Sequence, residues 1–256
     1  MHNHANTGFD YFTHLGIHMK RILILSLLLV STSILFAEDT FKPAPRNKDY
    51  GWMSITLWKQ KHEKNLARAK QGNADVVFFG DSITEGWGNN EPWKKYFEPL
   101  KSVNFGIGGD TTQNVLYRIT NGELDGITPK VFVVMIGTNN FGLHNDKPAD
   151  VANGVKAIVE TLQKKEPTAK VLLLGVFPRG HKSENHFRKS ITTLNEEISK
   201  LQDSKKVVYM DIKDTFLDKN GTLSKELMPD YLHLSEKGYF LWAEAIEPTV
   251  KKMLAD

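Results

Sequence analysis

Five apolar runs of strand length alternate with segments of helical period, and this alternation constrains the chain more than any other feature. The runs lie at 75–79, 102–105, 131–136, 170–175 and 206–211. Several are nearly continuous in Val, Leu, Ile or Phe, as parallel strands covered on both faces must be. Between them, Val151, Val155, Ile158, Val159 and Leu162 share one helix face, and Phe187, Ile191, Leu194, Ile198 and Leu201 share another. A lead-in helix is expected over 52–70. A last helix is expected from a Ser235 cap, carrying Tyr239, Trp242 and Ile246 inward, with Pro248 kinking or ending it. The pattern predicts an α/β fold: an open parallel sheet of five strands with helices on both sides. In such sheets ligands bind beyond the carboxyl ends of the strands, so chemistry is to be sought there.

The first fifty residues read differently. Lys20 and Arg21 precede an apolar stretch at 22–37, and a polar segment opens with Glu38 and Asp39. This is the layout of a secretory signal peptide. It falls short of the ~20 residues that a spanning helix needs. Cleavage is expected after Ala37, with Leu35 at the −3 position; an uncleaved anchor is the alternative reading. Met19 makes a better start than Met1, so His2, His4, His14 and His18 belong to a leader rather than to a metal site. Residues 38–50, with Pro43 and Pro45, read as a linker. The expected organisation is therefore a leader and signal over 1–37, a linker over 38–50 and one catalytic domain over 51–256. The product would be exported, periplasmic or secreted, with no stable membrane anchor once the signal is cleaved.

Composition narrows the chemistry. Lys+Arg 33 against Asp+Glu 30 gives a net charge of +3 over 256 residues, with no basic excess to neutralise a phosphate backbone, so nucleic acid is not an expected partner. Cysteine is absent, which excludes disulfides, Cys-ligated zinc and a thiol nucleophile.

At the strand ends stand Gly80-Asp81-Ser82-Ile83, then Gly106-Ile107-Gly108-Gly109-Asp110, then Gly137-Thr138-Asn139-Asn140, and later Asp230-Tyr231-Leu232-His233. A hydroxyl, a glycine-rich turn, a carboxamide and an Asp/His pair are the parts of a serine esterase. Ser82 needs an adjacent base to act as nucleophile, and His233 can serve. Asp230, three residues upstream, can orient the ring if the pair lies on one helical turn. The tetrahedral intermediate needs aimed donors, and the N–H groups of Ser82 and Gly109 and the amide of Asn139 are suitable.

Taken singly, each residue has a plainer reading. Ser82 can cap a helix, Asp81 can organise a turn or be a phosphatase nucleophile, and Asn139 can be a turn residue. The glycine cluster lacks the lysine of a phosphate-binding loop. Asn140 reads as structural. Arg179 reads either as a substrate contact or as a salt-bridge partner. His62, His144, His181 and His186 read as surface residues, and the five tryptophans as core or rim packing.

Together, the four blocks resemble the GDSL-type SGNH hydrolases. The stretch from Asn104 to Gln113, with Asn121-Gly122-Glu123-Leu124, Pro178-Arg179-Gly180 and Asp230-Tyr231-Leu232-His233-Leu234-Ser235, is most similar to the branch that holds the catalytic subunits of platelet-activating factor acetylhydrolase. The likeness runs from about Trp52 to the C-terminus. It implies a flavodoxin-like three-layer α/β/α fold and ester hydrolysis with no metal or other cofactor. It assigns Ser82 as nucleophile, His233 as base, Asp230 as its partner, and Ser82, Gly109 and Asn139 as the oxyanion hole. It also implies a small acyl pocket lined by Ile83, Thr138 and Leu232. Ile83 replaces the Leu usual in the first block, a volume-conserving change.

The expectation is an exported serine esterase that removes a short acyl group, acetyl foremost, from a carbohydrate or small lipid ester. A longer-chain lipase or lysophospholipase and a catalytically silent ligand-binding module are the alternatives. The partners expected are the ester substrate and, as a homodimer, a second copy of the chain.

Overall fold

The computed structural model describes Met1 and residues 39–88, 90–203 and 205–256, so the signal-peptide segment lies outside the described residues. Five parallel strands, β1 (Val76–Gly80), β2 (Ser102–Asn104), β3 (Val131–Met135), β4 (Lys170–Leu174) and β5 (Val207–Met210), form one sheet in the order β2-β1-β3-β4-β5. That is the flavodoxin-like order, whose switch point falls between β1 and β3. Val77 pairs in register with both Val103 and Phe132, and Leu172 with both Val133 and Val208.

The helices are α1 (Ile55–Ala69), α2 (Ser82–Glu85), α3 (Glu91–Tyr96), α4 (Thr112–Thr120), α5 (Pro148–Lys165), α6 (His186–Ser199) and α7 (Glu236–Ala255). Successive strand residues point to opposite faces, and this sorts the core into two layers. Val77, Phe79, Phe132, Val134, Val171 and Leu173 pack on one side against α4, α5 and α6. Val76, Phe78, Val131, Val133, Leu172 and Leu174 pack on the other, largely against aromatic residues: Trp87, Trp93, Phe97 and, from α7, Trp242. The heptad-like spacing read in α5 and α6 puts Val151, Val155, Ile158 and Leu162, and Ile191, Leu194 and Ile198, fully inside.

Three expectations need correction. Residues 39–50 are not a free linker. Ala44 N donates to Gln113 O at 3.1 Å, Asn114 Nδ2 to Ala44 O at 3.0 Å and Thr112 Oγ1 to Thr40 O at 2.8 Å, while Arg46 is buried. These bonds lay the segment against the start of α4, and Glu38–Asp256 packs as one compact unit. Of the two readings of Pro248, only ending the helix is overturned, since the last helix runs through it to Ala255. His62 is not at the surface: it is buried on α1, with Nδ1 2.8 Å from Glu123 Oε1. Ser235 caps α7 as expected, its Oγ accepting from Gly238 N at 3.2 Å. No helix among the described residues is long and apolar enough to cross a membrane.

Candidate active site

The carboxyl ends of β1, β2 and β3 deliver the three central blocks to one rim. Beyond β1 the chain turns at once into α2, and the residue that caps this helix is Asp81, not Ser82. Asp81 Oδ1 accepts from Ile83 N at 2.9 Å. Ser82 is thus the first helical residue, with its hydroxyl free of capping duty. Its backbone N–H is one of the donors that a helix start leaves unpaired.

Ser82 Oγ lies 2.9 Å from His233 Nε2, and His233 Nδ1 lies 2.7 Å from Asp230 Oδ2. A carboxylate only accepts, so Nδ1 carries the proton and Nε2 presents its lone pair to the serine hydroxyl. Burial pushes the Asp230 carboxyl up, but the bonds from the His233 ring and from the backbone N–H groups of His233 and Leu232 outweigh it and leave it below the usual carboxylate range.

The pair does not sit on a helical turn. Asp230 Oδ1 accepts from Leu232 N at 3.0 Å and from His233 N at 2.7 Å, folding the loop around its own side chain. Tyr231 takes φ +60°, an uncommon value for a bulky residue. Gly180 N donates to Tyr231 O at 2.9 Å and the His181 ring stacks on the Tyr231 ring at 4.7 Å, which fixes that conformation.

The candidate donors lie beside Ser82. A Cβ on Gly108 would fall 3.8 Å from Ser82 Cβ, so the glycine turn abuts the serine. Gly109 has φ +76° and no room for a side chain: a Cβ would stand 2.3 Å from Trp52 Cη2 and 2.7 Å from Arg46 Nη2. Its N–H has no acceptor among the described residues. Asn139 spends one amide hydrogen on Asp110 O at 3.0 Å, which ties the third block to the second and leaves the other hydrogen for substrate.

The residues expected to line an acyl pocket are more enclosed than that role suggests. Ile83 belongs to the α7-side core, with Leu232 half-buried against the same cluster. Thr138 is buried, and its Oγ1 has no hydrogen-bond partner among the described residues. Asn140 is structural, accepting from Thr112 N at 3.0 Å and donating to Asp146 Oδ2 at 2.9 Å. Arg179 packs against α6. Its guanidinium lies 4.1 Å over the Phe187 ring, and Nη1 reaches Thr138 O at 3.4 Å. A cavity of about 760 Å³ lies apart from this chemistry, lined by Val176, Arg188, Asn195, Tyr209 and Asp211 among others. The distances between Ser82, His233 and Asp230 locate the site, and the cavity's size does not.

Buried ionisable groups stand behind the rim. Burial pushes Asp81 up to about 7, helped by Asp110 and opposed by the Ile83 N–H, His233 and Arg179. Burial likewise raises Asp110, to about 6, against the pull of Arg118, Trp58 and Arg46. Arg118 Nε donates to Asp110 Oδ2 at 2.7 Å, its Nη1 pairs with Glu123, and Trp58 Nε1 donates to Asp110 Oδ1 at 2.6 Å. The sequence reading missed Arg46, Glu85, Asp110 and Arg118. Glu85, in the first block, accepts from Gly108 N at 2.7 Å, and its place one helical turn after Ser82 was the available signal.

The family model for the GDSL-like Lipase/Acylhydrolase family matches residues 78–241. The chain is 38% identical over 218 residues to platelet-activating factor acetylhydrolase IB subunit alpha1 of Rattus norvegicus, a match that covers 84% of this chain and 90% of that one. It is 37% identical over 200 residues to the alpha2 subunit of the same organism, covering 78% and 86%. The crystal structure of a GDSL-like lipase from Bacteroides thetaiotaomicron shares the fold, with a TM-score of 0.60 at 23% identity over 76% of this chain and 97% of that one. A serine relayed through histidine to aspartate, on this fold and within this matched span, leaves one conclusion: the chain belongs to the GDSL-like lipase/acylhydrolase family and is a carboxylic ester hydrolase.

Proposed function

We propose that this esterase removes a short acyl group, acetyl foremost, from an alcohol, and that it does so outside the cytoplasm. The observation that carries the acyl preference is the enclosure beside the nucleophile. Ile83 and Thr138, next in sequence to Ser82 and Asn139, are buried at 1% and 2% exposure, which supports a site with little room for a long acyl chain. The two rat relatives, both named acetylhydrolases, support the same reading. The far side is open: the His233 and Asp230 side chains are about half-exposed. An open alcohol side suits a carbohydrate acetyl ester, with a small lipid ester as the other candidate. The segment formed by Lys20, Arg21 and 22–37 supports export.

The geometry supports the following steps. His233 Nε2 takes the Ser82 proton as Oγ bonds to the ester carbon. The carbonyl electron pair moves onto oxygen, where the N–H groups of Ser82 and Gly109 and the Asn139 amide receive it. The pair returns, the bond to the alcohol oxygen breaks, and His233 protonates the leaving alcohol. Water, deprotonated by His233, then attacks the acyl-serine; the bond from the acyl carbon to Ser82 Oγ breaks, His233 returns the proton to Oγ, and the acid leaves.

A series of p-nitrophenyl esters from two to twelve carbons tests the acyl assignment. The expected outcome is a maximum in kcat/KM at two carbons; a maximum at eight or more would replace it with a longer-chain lipase. Acetylated xylose and glucose set against acetylated glycerolipids then decide the alcohol. N-terminal sequencing of protein recovered outside the cytoplasm tests export, with cleavage expected after Ala37.

A further inference from the structure

The Gly109 N–H belongs to the same peptide unit as the Gly108 carbonyl, and that unit is the centre of a β-turn. Asp110 N donates to Ile107 O at 3.2 Å, closing the turn across Gly108 and Gly109. Gly109 has φ +76°, while Gly108 is not among the residues of positive φ, so the turn is type II. Types I and II differ by a rotation of the central peptide of about half a turn, and a glycine in the third position accepts both. In one orientation the Gly109 N–H can serve the oxyanion; in the other the Gly108 carbonyl takes its place and would repel it. The turn itself therefore does not secure the donor.

Two side chains hold it from outside. Glu85 Oε2 accepts from Gly108 N at 2.7 Å, which fixes the peptide before the central one. Arg46 Nη2 donates to Gly108 O at 3.1 Å, and this bond falls on the central peptide itself. Arg46 is buried at 6% exposure, with its guanidinium carbon 5.4 Å from the Tyr50 ring centre and 5.8 Å from that of Trp52. Its charge faces Asp110 at 3.9 Å, and its Nε has no hydrogen-bond partner among the described residues. A buried cation beside a carboxylate is a weak device for stability. It is a strong one for orienting a carbonyl.

We propose that Arg46, carried by the strap at 39–53, is a positioning residue for the hydrolysis: it locks the Gly108–Gly109 peptide with the N–H turned toward the oxyanion. A cation on the carbonyl also polarises the amide and strengthens its N–H as a donor. The proposal rests on Gly109 as an oxyanion donor in the site described above.

The test compares the wild-type chain with R46M, R46K and S82A, using p-nitrophenyl acetate kinetics, inhibition by phenylboronic acid and urea unfolding. Phenylboronic acid becomes tetrahedral on the serine and so reports the oxyanion hole, which KM does not. R46M is expected to lose roughly 10- to 100-fold in kcat, up to the loss of a full oxyanion donor. KM should stay within about twofold, and boronate affinity should fall in parallel with kcat. R46K, which restores a cationic donor with different geometry, is expected to lie between. Wild-type kcat in folded R46M, or a fall in kcat without any change in boronate affinity, overturns the proposal. If R46M does not fold, R46K decides: a joint drop in kcat and boronate affinity supports the proposal, and wild-type values of both overturn it. An inactive S82A beside a fully active R46M removes Arg46 alone, whereas an active S82A removes the site and this proposal with it.

Discussion

Ser82 Oγ and His233 Nε2 stand 2.9 Å apart across 151 positions of chain. The contact exists because Asp81 takes over the capping of α2 and leaves the serine hydroxyl to the imidazole. Removing either partner should stop the same step. S82A and H233A are each expected to lose roughly 10⁴-fold or more in kcat, and the double variant to be no slower than the worse single one, because the two act as a unit. Hydrolysis of p-nitrophenyl acetate checks this; additive losses in the double variant would mean that the two residues work independently.

Asp230 offers a sharper probe. An asparagine there keeps an oxygen for the Leu232 and His233 N–H groups but can present an amide N–H to Nδ1. The imidazole would then carry its proton on Nε2, facing Ser82, and could not accept another. D230N is expected to lose roughly 10³–10⁴ in kcat through the wrong tautomer. D230A, whose half-exposed site admits water, should retain more activity than D230N. Equal or reversed losses would show that Asp230 acts through charge rather than by fixing the proton.

The blocks that meet at this rim were legible because each follows a strand whose apolar run is nearly unbroken, and strand ends in a parallel sheet share one edge. The strands themselves fell within a residue or two of the runs. What the sequence concealed depended on long-range geometry. Arg46 sits in a stretch whose prolines and charges read as a linker, and only its bonds to Gly108, with those of Ala44 to α4, show it to be docked. His62 read as exposed because its partner, Glu123, lies 61 positions away. The spacing of Asp230 and His233 reads from the sequence as one helical turn. The Asp230 side chain instead ties the loop, and the left-handed Tyr231 has no sequence signal of its own.

Asn139 ties the third block to Asp110 O and is proposed to donate to the oxyanion as well. N139A is expected to lower kcat by roughly 10²–10³ with a small change in KM. A loss under about threefold would remove it from the oxyanion hole and leave only the tie.

Asp81 links the site to pH. Burial raises its carboxyl to about 7 in the folded chain, whereas the unfolded chain has an ordinary aspartate near 3.9. The folded state therefore holds this proton more tightly, and the stability that comes with it is full below about 4 and lost as pH rises through about 7. An asparagine can still accept from Ile83 N and does not titrate. Urea unfolding at pH 5 and pH 8 should show the wild type losing stability relative to D81N as pH rises. A constant difference between the two across that interval would mean that Asp81 is ionised throughout.

Arg118 is the deepest charge behind the rim. It and its two carboxylate partners, Asp110 and Glu123, are fully buried, and its Nη2 also reaches Gly80 O at 3.3 Å, one residue before the Asp81 cap. A methionine would fill much of the volume but leave two carboxylates in the core without their cation. Breaking one side of a buried ion pair costs about 3–5 kcal/mol, and R118M is expected to lose stability on that scale in urea unfolding. R118M/E123Q should recover part of the loss, since one stranded charge is then gone. Because Asp110 directly follows the oxyanion glycine, the fraction of R118M that remains folded should also turn over more slowly than wild type. Wild-type kcat in that fraction would separate the buried cluster from catalysis and confine it to holding the fold.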